Sequence, residues 1–539
     1  MSWASGYVSE IDYTHGYYRE LNPLLMGFAA LHAGLNQTPP KPLRYLELGF
    51  GQGLSVNIHA AALEGEFWGV DLNPSHVGLA REMAQASGSG LQVFDASFEE
   101  FASRTDLPSF QVIALHGVWS WISAMNREVL VAFIRKHLDT GGLVYVSYNA
   151  MPGWTSALPL RELLTLHATS AQGEMLGLID RIDGSLAFAQ ELLDAEALYF
   201  KANPAVTERL KKLQGQNRHY LAHEYFNADW KPMSFAEVHA AMSEAKLSFA
   251  APSGLLDHIE AIQMNQQGRE LLAKYKHPVM RESIRDYLTN QQFRRDLYIR
   301  GPRRLSLMER LAEIRALRLA LVTAPETINF KLKTPLGEVD LNRSIYEVFI
   351  SEIKKLTTHQ TIEQMPNAAV ELTACASFPS FAEVEAAVKA DAPSITTEQM
   401  IQATAMLIGL GHLSLAQSPS ACRQAQLRCD RLNQWIVRKA FDSGDLGHLA
   451  SPATGGGVAV GRFEQLFMLA SAKGMTQTHE QANFVWQVMQ ARGQRLVREG
   501  QAIENDQETL KLLENQSEVF RQGKLGLLSQ LGVRVCEPA

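Results

Sequence analysis

The stretch LRYLELGFGQGLSVNIHAAAL, residues 43–63, decides the fold of this 539-residue chain. Its first six residues are mostly apolar and follow the proline-rich run TPPKP (38–42), which cannot continue a helix, so they predict a buried strand. The run GFGQG (49–53) comes next, and residues 54–63 then carry small and apolar side chains at helical spacing. The pattern predicts a strand, a glycine turn and a helix.

The same alternation continues to residue 147. Further strands are predicted over 67–71, 91–95, 110–115 and 141–147, with helices over 74–87, 98–104 and 127–138 between them. Alternating strands and helices are typical of a parallel sheet that is covered on both faces and binds ligands at the carboxyl ends of its strands. We therefore predict an α/β fold with a Rossmann-like sheet.

The glycine turn and three acids indicate the cofactor. A dinucleotide-binding loop needs G-x-G-x-x-G, but Leu54 occupies the sixth position here, and residues 49–55 contain no basic side chain to meet a phosphate. Glu47, Asp71 and Asp95 stand beside the turn or at strand ends. S-adenosylmethionine is cationic and phosphate-free, and it needs one carboxylate near its ammonium and another for its ribose hydroxyls. We predict that it binds here; a Rossmann-like core that has lost its ligand is the alternative.

Several motifs carry a resemblance to a known family. LELGFGQG (46–53), GVDLNP (69–74) and FDASFEE (94–100) resemble motifs I, II and III of class I S-adenosylmethionine-dependent methyltransferases. LHGVWSWI (115–122), YVSYNAMPGW (145–154) and YLAHEYFNADWKPMSFAEV (220–238) resemble the bacterial subgroup with a methyltransferase regulatory domain. That subgroup includes lysine methyltransferases that act on outer-membrane proteins. The resemblance extends to about residue 300 and weakens beyond it.

The resemblance implies roles for individual residues. Glu47 and the three turn glycines would hold the methionine end of the cofactor, Asp71 the ribose, and the segment from Asp95 the adenine edge. Phe50 departs from the family, which often has cysteine or threonine there, and we expect it to stack on the cofactor cleft or narrow it. The implied cofactor-binding residues are Glu47, Gly49, Gly51, Gly53, Asp71, Asp95, Ala96, Ser97 and Gly117.

Candidate catalytic side chains gather at the predicted ends of the fourth and fifth strands. Methyl transfer from a sulfonium is an in-line displacement in which positioning and desolvation supply most of the catalysis. A lysine acceptor must also lose its proton, which apolar surroundings favour. The alternative for each aromatic residue is packing in the core. The predicted catalytic residues are Tyr148, Asn149, Trp119 and His116, with Trp121, Trp154, Tyr13, Tyr17 and Tyr18 as further aromatic candidates.

Other chemistries fit the sequence poorly. His223 and Glu224 are not followed by the second histidine of HExxH, so no metal site is predicted. There is no GxSxG motif and no cysteine in the N-terminal half, which excludes the usual serine and cysteine nucleophiles. His116 stays open between a proton acceptor and a structural histidine.

Domain boundaries follow from these patterns. The resemblance places the last two strands of the sheet at 246–251 and 296–300, which predicts a methyltransferase domain over 1–303 with a helical insertion, a lid, over about 155–245. Residues 304–420 predict a hairpin (329–333 and 338–341) and helices over 344–356, 381–390 and 397–413, an arrangement similar to a winged helix. Residues 421–539 predict a mainly helical module, with helices over 462–473 and 483–513. SPATGGG (451–457) lacks the GK[ST] of a phosphate-binding loop and predicts a turn.

Composition limits the partners. With 50 basic and 57 acidic residues the formal charge is −7, so no cationic field favours nucleic acid, and Lys331 and Lys333 are the only cations of the predicted wing. There is no run of 18 apolar residues and no basic cluster followed by an apolar segment near residue 1, and the four cysteines show no CxxC spacing. We expect a cytoplasmic protein without membrane insertion.

The expected function is methyl transfer from S-adenosylmethionine to lysine side chains of a protein substrate, with a homodimer through the C-terminal region as one possible assembly. The first alternative is a small-molecule or glycan methyltransferase. The second is a non-catalytic module that binds the cofactor.

Overall fold

A computed structural model describes residues 14–36, 42–170, 176–364, 376–498 and 501–535. Tyr13, Cys375 and Cys536 lie outside these residues. The strands are β1 (Leu43–Leu48), β2 (Gly65–Asp71), β3 (Gln92–Asp95), β4 (Phe110–Leu115), β5 (Leu138–Asn149), β6 (Leu247–Pro252), β7 (Phe293–Arg300), β8 (Arg318–Leu321), β9 (Lys331–Thr334), β10 (Gly337–Asp340), β11 (Leu413–Ala416), β12 (His448–Ser451), β13 (Gly456–Ala459), β14 (Val497–Arg498) and β15 (Gln501–Ala502).

The helices connect and cover these strands. They are α1 (Pro23–His32), α2 (Leu54–Ala62), α3 (Pro74–Ser87), α4 (Phe98–Ala102), α5 (Ala124–His137), α6 (Leu158–Ser170), α7 (Leu178–Asp194), α8 (Leu198–Ala202), α9 (Pro204–Gln214), α10 (Arg218–Tyr225), α11 (Phe235–Glu244), α12 (Glu260–Gln263), α13 (Gln266–Ala273), α14 (Pro278–Thr289), α15 (Leu307–Ala316), α16 (Arg343–Gln364), α17 (Phe381–Asp391), α18 (Thr397–Leu410), α19 (Pro419–Lys439), α20 (Arg462–Ala472), α21 (Thr478–Ala491), α22 (Asp506–Phe520) and α23 (Gly526–Gln530).

The central sheet has seven strands in the order β3-β2-β1-β4-β5-β7-β6. Strands β1 to β5 are parallel to one another, and β7 runs antiparallel to both β5 and β6. This arrangement confirms the predicted Rossmann-like α/β sheet, including the last two strands, which the family resemblance had placed. The strand order reverses between β1 and β4, and ligands bind such sheets at that point, beyond the carboxyl ends of the strands.

Helix α2 explains the small residues after the glycine turn. It is buried along its whole length because it lies between the sheet and the C-terminal part of the chain. Leu54, Ile58 and Ala61 share one apolar cluster with Cys429 and Leu432 of α19. A bulky residue on either side of α2 would push these layers apart. Because α2 carries small side chains, the C-terminal helices pack directly on it, immediately after the glycine turn.

The insertion has a small core of its own. Helices α6 to α10 bury Leu160, Leu186, Leu210 and other apolar side chains in a cluster separate from the sheet. Helix α11, at the end of the predicted insertion, instead packs on the sheet and contributes Met242 to its core.

The C-terminal half agrees only in part with the prediction. The hairpin β9–β10 and helices α16, α17, α18 and α20 lie where the sequence predicted them. The helix predicted over 483–513 is wrong: α21 ends at Ala491, Gly493 takes a positive φ of 63°, and the short pair β14–β15 precedes α22. The pairing of β8 with β11 was not predicted.

The turn between β12 and β13 contains the triple glycine and touches the segment before α1. Asn22 Nδ2 donates to the carbonyl oxygens of Thr454 at 3.2 Å and of Gly455 at 3.3 Å. A Cβ atom on Gly457 would lie 3.0 Å from the ring of Tyr17, and one on Gly456 would lie 2.5 Å from its hydroxyl. The glycines therefore allow a close approach between the segment before α1 and the β12–β13 pair.

Candidate active site

The three glycines of the turn after β1 have different tasks. A Cβ on Gly49 would lie 2.6 Å from Val118, and one on Gly53 would lie 2.7 Å from Ala80, so both positions are packed too closely for a side chain. Gly51 has φ +59° and no heavy atom within 4 Å of the place where a Cβ would stand, among the residues that the structure describes. Gly51 is thus the glycine that borders open space at the carboxyl end of the sheet.

Substitution of Gly51 should separate backbone strain from loss of ligand space. Gly51→Ala and Gly90→Ala should each cost about 1 kcal/mol of stability, because both glycines have positive φ and open surroundings. Only Gly51→Ala places a methyl group where the cofactor is predicted, so we expect its affinity for S-adenosylmethionine to fall about tenfold or more. Titration calorimetry of both variants measures this, and equal affinities would contradict the placement of the cofactor.

Asp71 ends β2 and organises the turn. Its Oδ2 accepts the N–H of Gly51 at 2.8 Å, and its Oδ1 accepts the N–H of Asn73 at 2.9 Å and lies 3.2 Å from His76 Nδ1. Each carboxylate oxygen can accept two hydrogen bonds, so Oδ2 retains capacity for a ligand hydroxyl. Asp71 therefore holds the glycine turn, and its binding of the ribose stays a prediction.

The predicted adenine segment follows the neighbouring strand. Asp95 is exposed and lies beside Asp71 in the register of β2 and β3. The N–H of Ala96 donates to the carbonyl of Asp71 at 3.2 Å, and that of Ser97 donates to Glu100 at 2.8 Å in a capping box that begins α4. In this structure both backbone donors have protein partners, which leaves the Asp95 carboxylate as the exposed group of the segment. The roles of these residues stay predictions.

Glu47 is a buried carboxylate on β1. Its Oε2 accepts the hydroxyl of Tyr45 at 3.0 Å, and its side chain is almost wholly out of water. Burial, with Asp71 adding to it, raises the pKa of Glu47 to about 8 although the Tyr45 hydrogen bond acts in the opposite direction. A neighbouring ammonium would restore the charged form.

Cofactor binding should therefore release a proton from Glu47. The protein without cofactor holds this carboxyl mostly neutral at pH 7, whereas the cofactor's ammonium favours the carboxylate. Affinity should then rise about tenfold between pH 6 and pH 7, since the charged fraction of a group with this pKa rises by that factor. Calorimetry in two buffers of different ionisation enthalpy would count about one released proton. A flat affinity, or an unchanged proton count in Glu47→Gln, would contradict the assignment.

His116 follows β4 and stands in an aromatic environment. Its Nδ1 lies 2.9 Å from the hydroxyl of Tyr145, and its ring centroid is 3.8 Å from that of Tyr18 and 6.3 Å from that of Phe293. Burial lowers the pKa of His116 to about 4, against the influence of Glu20, so its imidazole is neutral at neutral pH. This neutral group at a strand end can accept or donate one hydrogen bond depending on its tautomer.

Gly117 is held beside His116. Its N–H donates to Ser147 Oγ at 2.8 Å, its φ is +64°, and among the described residues nothing lies within 4 Å of its Cβ direction. Ser147 and Tyr145 lie on the same face of β5 because they are two residues apart. The end of β4 is thus fixed by side chains of β5 while Gly117 keeps open space in front of it.

Of the other predicted catalytic residues, Tyr148 and Trp119 are not brought together with His116, whereas Asn149 shares the face of β5 that carries Tyr145 and Ser147. Tyr148 points to the opposite face of β5, where its hydroxyl donates to Asp296 at 2.7 Å. Trp119 is fully buried in the core of that same face, and within the described chain its Nε1 has no hydrogen-bond partner. Asn149 lies in register with Phe293, and its buried Nδ2 likewise lacks a partner among the residues described. The catalytic roles of all four residues, His116 included, stay predictions.

Tyr148 belongs to a buried charge cluster. Arg294 binds Asp296 at 2.9 Å, Asp286 at 2.5 Å and Glu282 at 2.9 Å, and all four side chains are less than 10% exposed. The cluster, defined here as Glu282, Asp286, Arg294 and Asp296, joins α14 to β7 and through Tyr148 to β5. It contains three carboxyl groups and one guanidinium.

Sequence reasoning missed several residues of the site. Tyr45, Tyr145 and Ser147 have a recognisable signal, since they alternate on one face of strands β1 and β5. Glu20, Phe293 and Arg295 reach the site only through the tertiary fold. The ring of Phe50 packs against Gly69 and Gly53 within the core, so the expectation that it stacks on the cofactor cleft is not supported by its burial.

These residues fit S-adenosylmethionine. A buried carboxyl, a glycine with open space and an acid with spare acceptor capacity lie in sequence along β1, the turn and β2. No basic side chain occurs in residues 49–55, so the turn places no positive charge that would repel a sulfonium. The arrangement matches a cationic cofactor that carries an ammonium and a ribose.

Comparison with known proteins decides the family. A family model described as "Methyltransferase domain" matches residues 46–142, and one described as "Predicted methyltransferase regulatory domain" matches residues 217–300. The protein sll1526 of Synechocystis sp. is 36% identical over 536 residues, which are 99% of this chain and 100% of that protein. The chain belongs to the class I S-adenosylmethionine-dependent methyltransferases with a regulatory domain.

Other relatives of this methyltransferase are more distant. RP789 of Rickettsia prowazekii is 25% identical over 341 residues, 62% of this chain and 59% of that protein. The structure of PKMT2 from Rickettsia typhi in complex with AdoHcy has a TM-score of 0.67 at 15% identity and covers 96% of this chain and 99% of its own. That similarity shows that the fold is shared along nearly the whole methyltransferase.

Two further observations concern metals and membranes. Within the described ranges, no group of three or more His, Cys, Asp or Glu side chains is arranged to hold a metal ion. None of the helices described for the methyltransferase has both the length and the apolar character of a membrane span.

Proposed function

We propose that this methyltransferase transfers methyl groups to lysine side chains of proteins. The observation that carries the proposal is the neutral, largely desolvated aromatic site around His116, formed with Tyr18, Tyr145 and Phe293. Such surroundings disfavour a charged ammonium and so help an amine to lose its proton. Aromatic faces also receive the methylene chain and the methylated cation of a lysine.

The residues of the chain would position this reaction. S-adenosylmethionine, when bound, would supply a methyl group on a sulfonium: the lone pair of the neutral amine would form the N–CH3 bond as the S–CH3 bond breaks in line with it, and the sulfur would leave as a neutral thioether. Tyr18 is fixed by its own N–H, which donates to Ser55 Oγ at 3.0 Å next to the glycine turn. Its ring covers His116 and excludes water from that side. His116 and the Tyr145 hydroxyl, 2.9 Å apart, offer the hydrogen-bonding groups that can orient an amine.

A large cavity meets the segment before α1 at Tyr17 and Glu20, although His116, Tyr18, Tyr145 and Phe293 do not line it. It has a volume of about 1180 Å³ and lies between the segment before α1 and the C-terminal elements β13, α20 and α22. Its wall includes Tyr17, Glu20, His448, Phe467 and Phe520. Pockets for small molecules usually measure about 300–1,000 Å³, so the space is large enough for a peptide segment.

Location and assembly are part of the same proposal. We place the enzyme in the cytoplasm, because the cysteine spacing and the lack of a predicted membrane segment favour that compartment. A homodimer through the C-terminal region is proposed as its assembly.

Labelled methyl transfer tests the acceptor. The full-length protein would be incubated with S-adenosylmethionine carrying a labelled methyl group and with either a bacterial protein extract or a metabolite extract. Label recovered as methyllysine after acid hydrolysis of the protein fraction is the expected result. Label in the metabolite or glycan fraction would favour the small-molecule alternative, and cofactor binding without transfer would favour a non-catalytic module.

A further inference from the structure

Glu20 is a carboxylate at the border between the large cavity and the His116 site. It lies in a 3-10 helix, Arg19–Leu21, two residues after the tyrosine that stacks on His116. Its side chain lines the cavity. Its negative charge opposes the lowering of the His116 pKa by burial and adds to the rise in the pKa of Tyr145 and Tyr17.

The partner of Glu20 comes from the sheet. Arg295 Nη1 lies 2.6 Å from Glu20 Oε1, and Arg295 is the register neighbour of Ser147, whose hydroxyl holds Gly117. Phe293, on the same face of β7, contacts the His116 ring. The ion pair therefore stands at the edge of the aromatic site, and the side chains of Glu20 and Arg295 remain 18% and 35% exposed.

The other charged groups on the cavity wall are held elsewhere. Arg19 donates to the carbonyl oxygens of Ile408 and Gly409, Arg462 donates to those of Ala440 and Phe441, and Glu464 pairs with Lys524 at 2.6 Å. Within the described part of the wall, Glu20 is the charged side chain that pairs with Arg295, the register neighbour of Ser147 beside the His116 site.

We infer that Glu20 receives the protonated amine of the acceptor as it passes from the cavity to the aromatic site, and so selects amine acceptors. The inference rests on the proposed function. An arriving ammonium replaces the Arg295 guanidinium at Glu20, so the charge next to the carboxylate is unchanged. Arg295 still has a second carboxyl group nearby, that of Asp257. Burial raises the pKa of Asp257, and the charge of Arg295 is the largest influence that opposes this rise.

The rings next to Glu20 complete this recognition. Tyr18 and Phe293 offer apolar faces to the methylene chain, and Tyr220 of α10 lies near Tyr18 from the side of the insertion. A neutral nucleophile, such as a hydroxyl, would gain nothing from the carboxylate and would leave the Glu20–Arg295 pair in place. The discrimination is therefore electrostatic, and salt should weaken it.

The test measures methyllysine formation at increasing concentrations of a denatured bacterial protein extract. For Glu20→Gln we expect the half-saturating concentration to rise about tenfold, because a charge-assisted hydrogen bond is lost, while the affinity for S-adenosylmethionine is unchanged. Glu338→Gln is the matched control, since Glu338 also forms a carboxylate–cation pair, with Lys331 at 3.0 Å on the exposed hairpin β9–β10. It should behave as the wild type.

A second variant keeps the test independent of the folding of the first. Arg295→Gln should lower the half-saturating concentration and leave methyl transfer intact, because it frees Glu20 for the amine. An unchanged half-saturating concentration in Glu20→Gln, or a higher one in Arg295→Gln, would overturn the inference. If the wild-type reaction still forms methyllysine, the proposed function would stand without it. If the wild type binds the cofactor but produces no methyllysine, both the proposed function and this inference fail.

Discussion

Replacing Arg294 with methionine should destabilise the protein by about 3–5 kcal/mol at neutral pH. Arg294 is the guanidinium of the buried cluster that also contains Glu282, Asp286 and Asp296. Its removal leaves three carboxyl groups without a cation in a region almost closed to water. Methionine fills a similar volume against the ring of Phe235, over which the guanidinium now lies at 4.5 Å, so the lost charge dominates the effect. Thermal and urea denaturation of the full-length variant measure it.

The pH dependence of the loss identifies its cause. Burial already raises the pKa of Asp286 to about 7 and that of Asp296 above its ordinary value, against the influence of Arg294. Without Arg294 both rise further, and groups whose folded pKa lies above the unfolded pKa stabilise the fold as the pH falls. The deficit of Arg294→Met should shrink from pH 7.5 to pH 5. Arg492→Met, which removes an exposed pair with Asp442, should cost about 1 kcal/mol or less. A deficit that does not change with pH would contradict the charge argument.

Asp71→Asn should weaken the binding of S-adenosylmethionine by about 1.5–3 kcal/mol, which is roughly 10- to 150-fold in affinity. The carboxylate accepts two backbone N–H groups, including that of Gly51, and is placed to accept ribose hydroxyls. An amide offers one acceptor oxygen and turns an N–H₂ donor toward groups that are themselves donors. Both the ligand contact and the shape of the glycine turn are therefore affected. Titration calorimetry gives the affinity directly.

The control for this variant is Asp106→Asn. Asp106 is 61% exposed and pairs with Arg104 at 2.5 Å, away from the turn. We expect its cofactor affinity to equal that of the wild type. Wild-type affinity in a folded Asp71→Asn protein would remove the ribose assignment and leave Glu47 and the glycines as the remaining basis for the site.

Local patterns in the sequence predict the sheet, and with it the positions of the glycine turn and of the acids at the strand ends, well. The strand at 43–48, the glycine turn and the acids at 71 and 95 are neighbours along the chain, and parallel strands bring their ends to one edge. Their positions follow from hydrophobic runs and turn residues, which depend little on distant parts of the chain. The positions of the last two strands could be predicted only with the family resemblance, because two short strands in a long helical region give a weak periodic pattern.

The acceptor side could not be predicted in the same way. Tyr148 and Asn149 are adjacent in sequence, yet neighbouring residues of a strand face opposite sides of the sheet. Which face looks toward the site depends on what covers it, and here the segment before α1 covers one face while α11 packs on the other. Glu20 and Arg295 are 275 residues apart, a separation that no local pattern spans.

The contact between the triple glycine and Tyr17 has a consequence for the order of synthesis. Asn22 and Thr454, which hold these two parts together, are 432 residues apart. The glycine turn is synthesised soon after the segment before α1, but the carbonyl groups that fix this segment follow only hundreds of residues later. The segment that carries Tyr17 and Tyr18 can therefore take up these contacts only after Thr454 has been synthesised, 432 residues after Asn22.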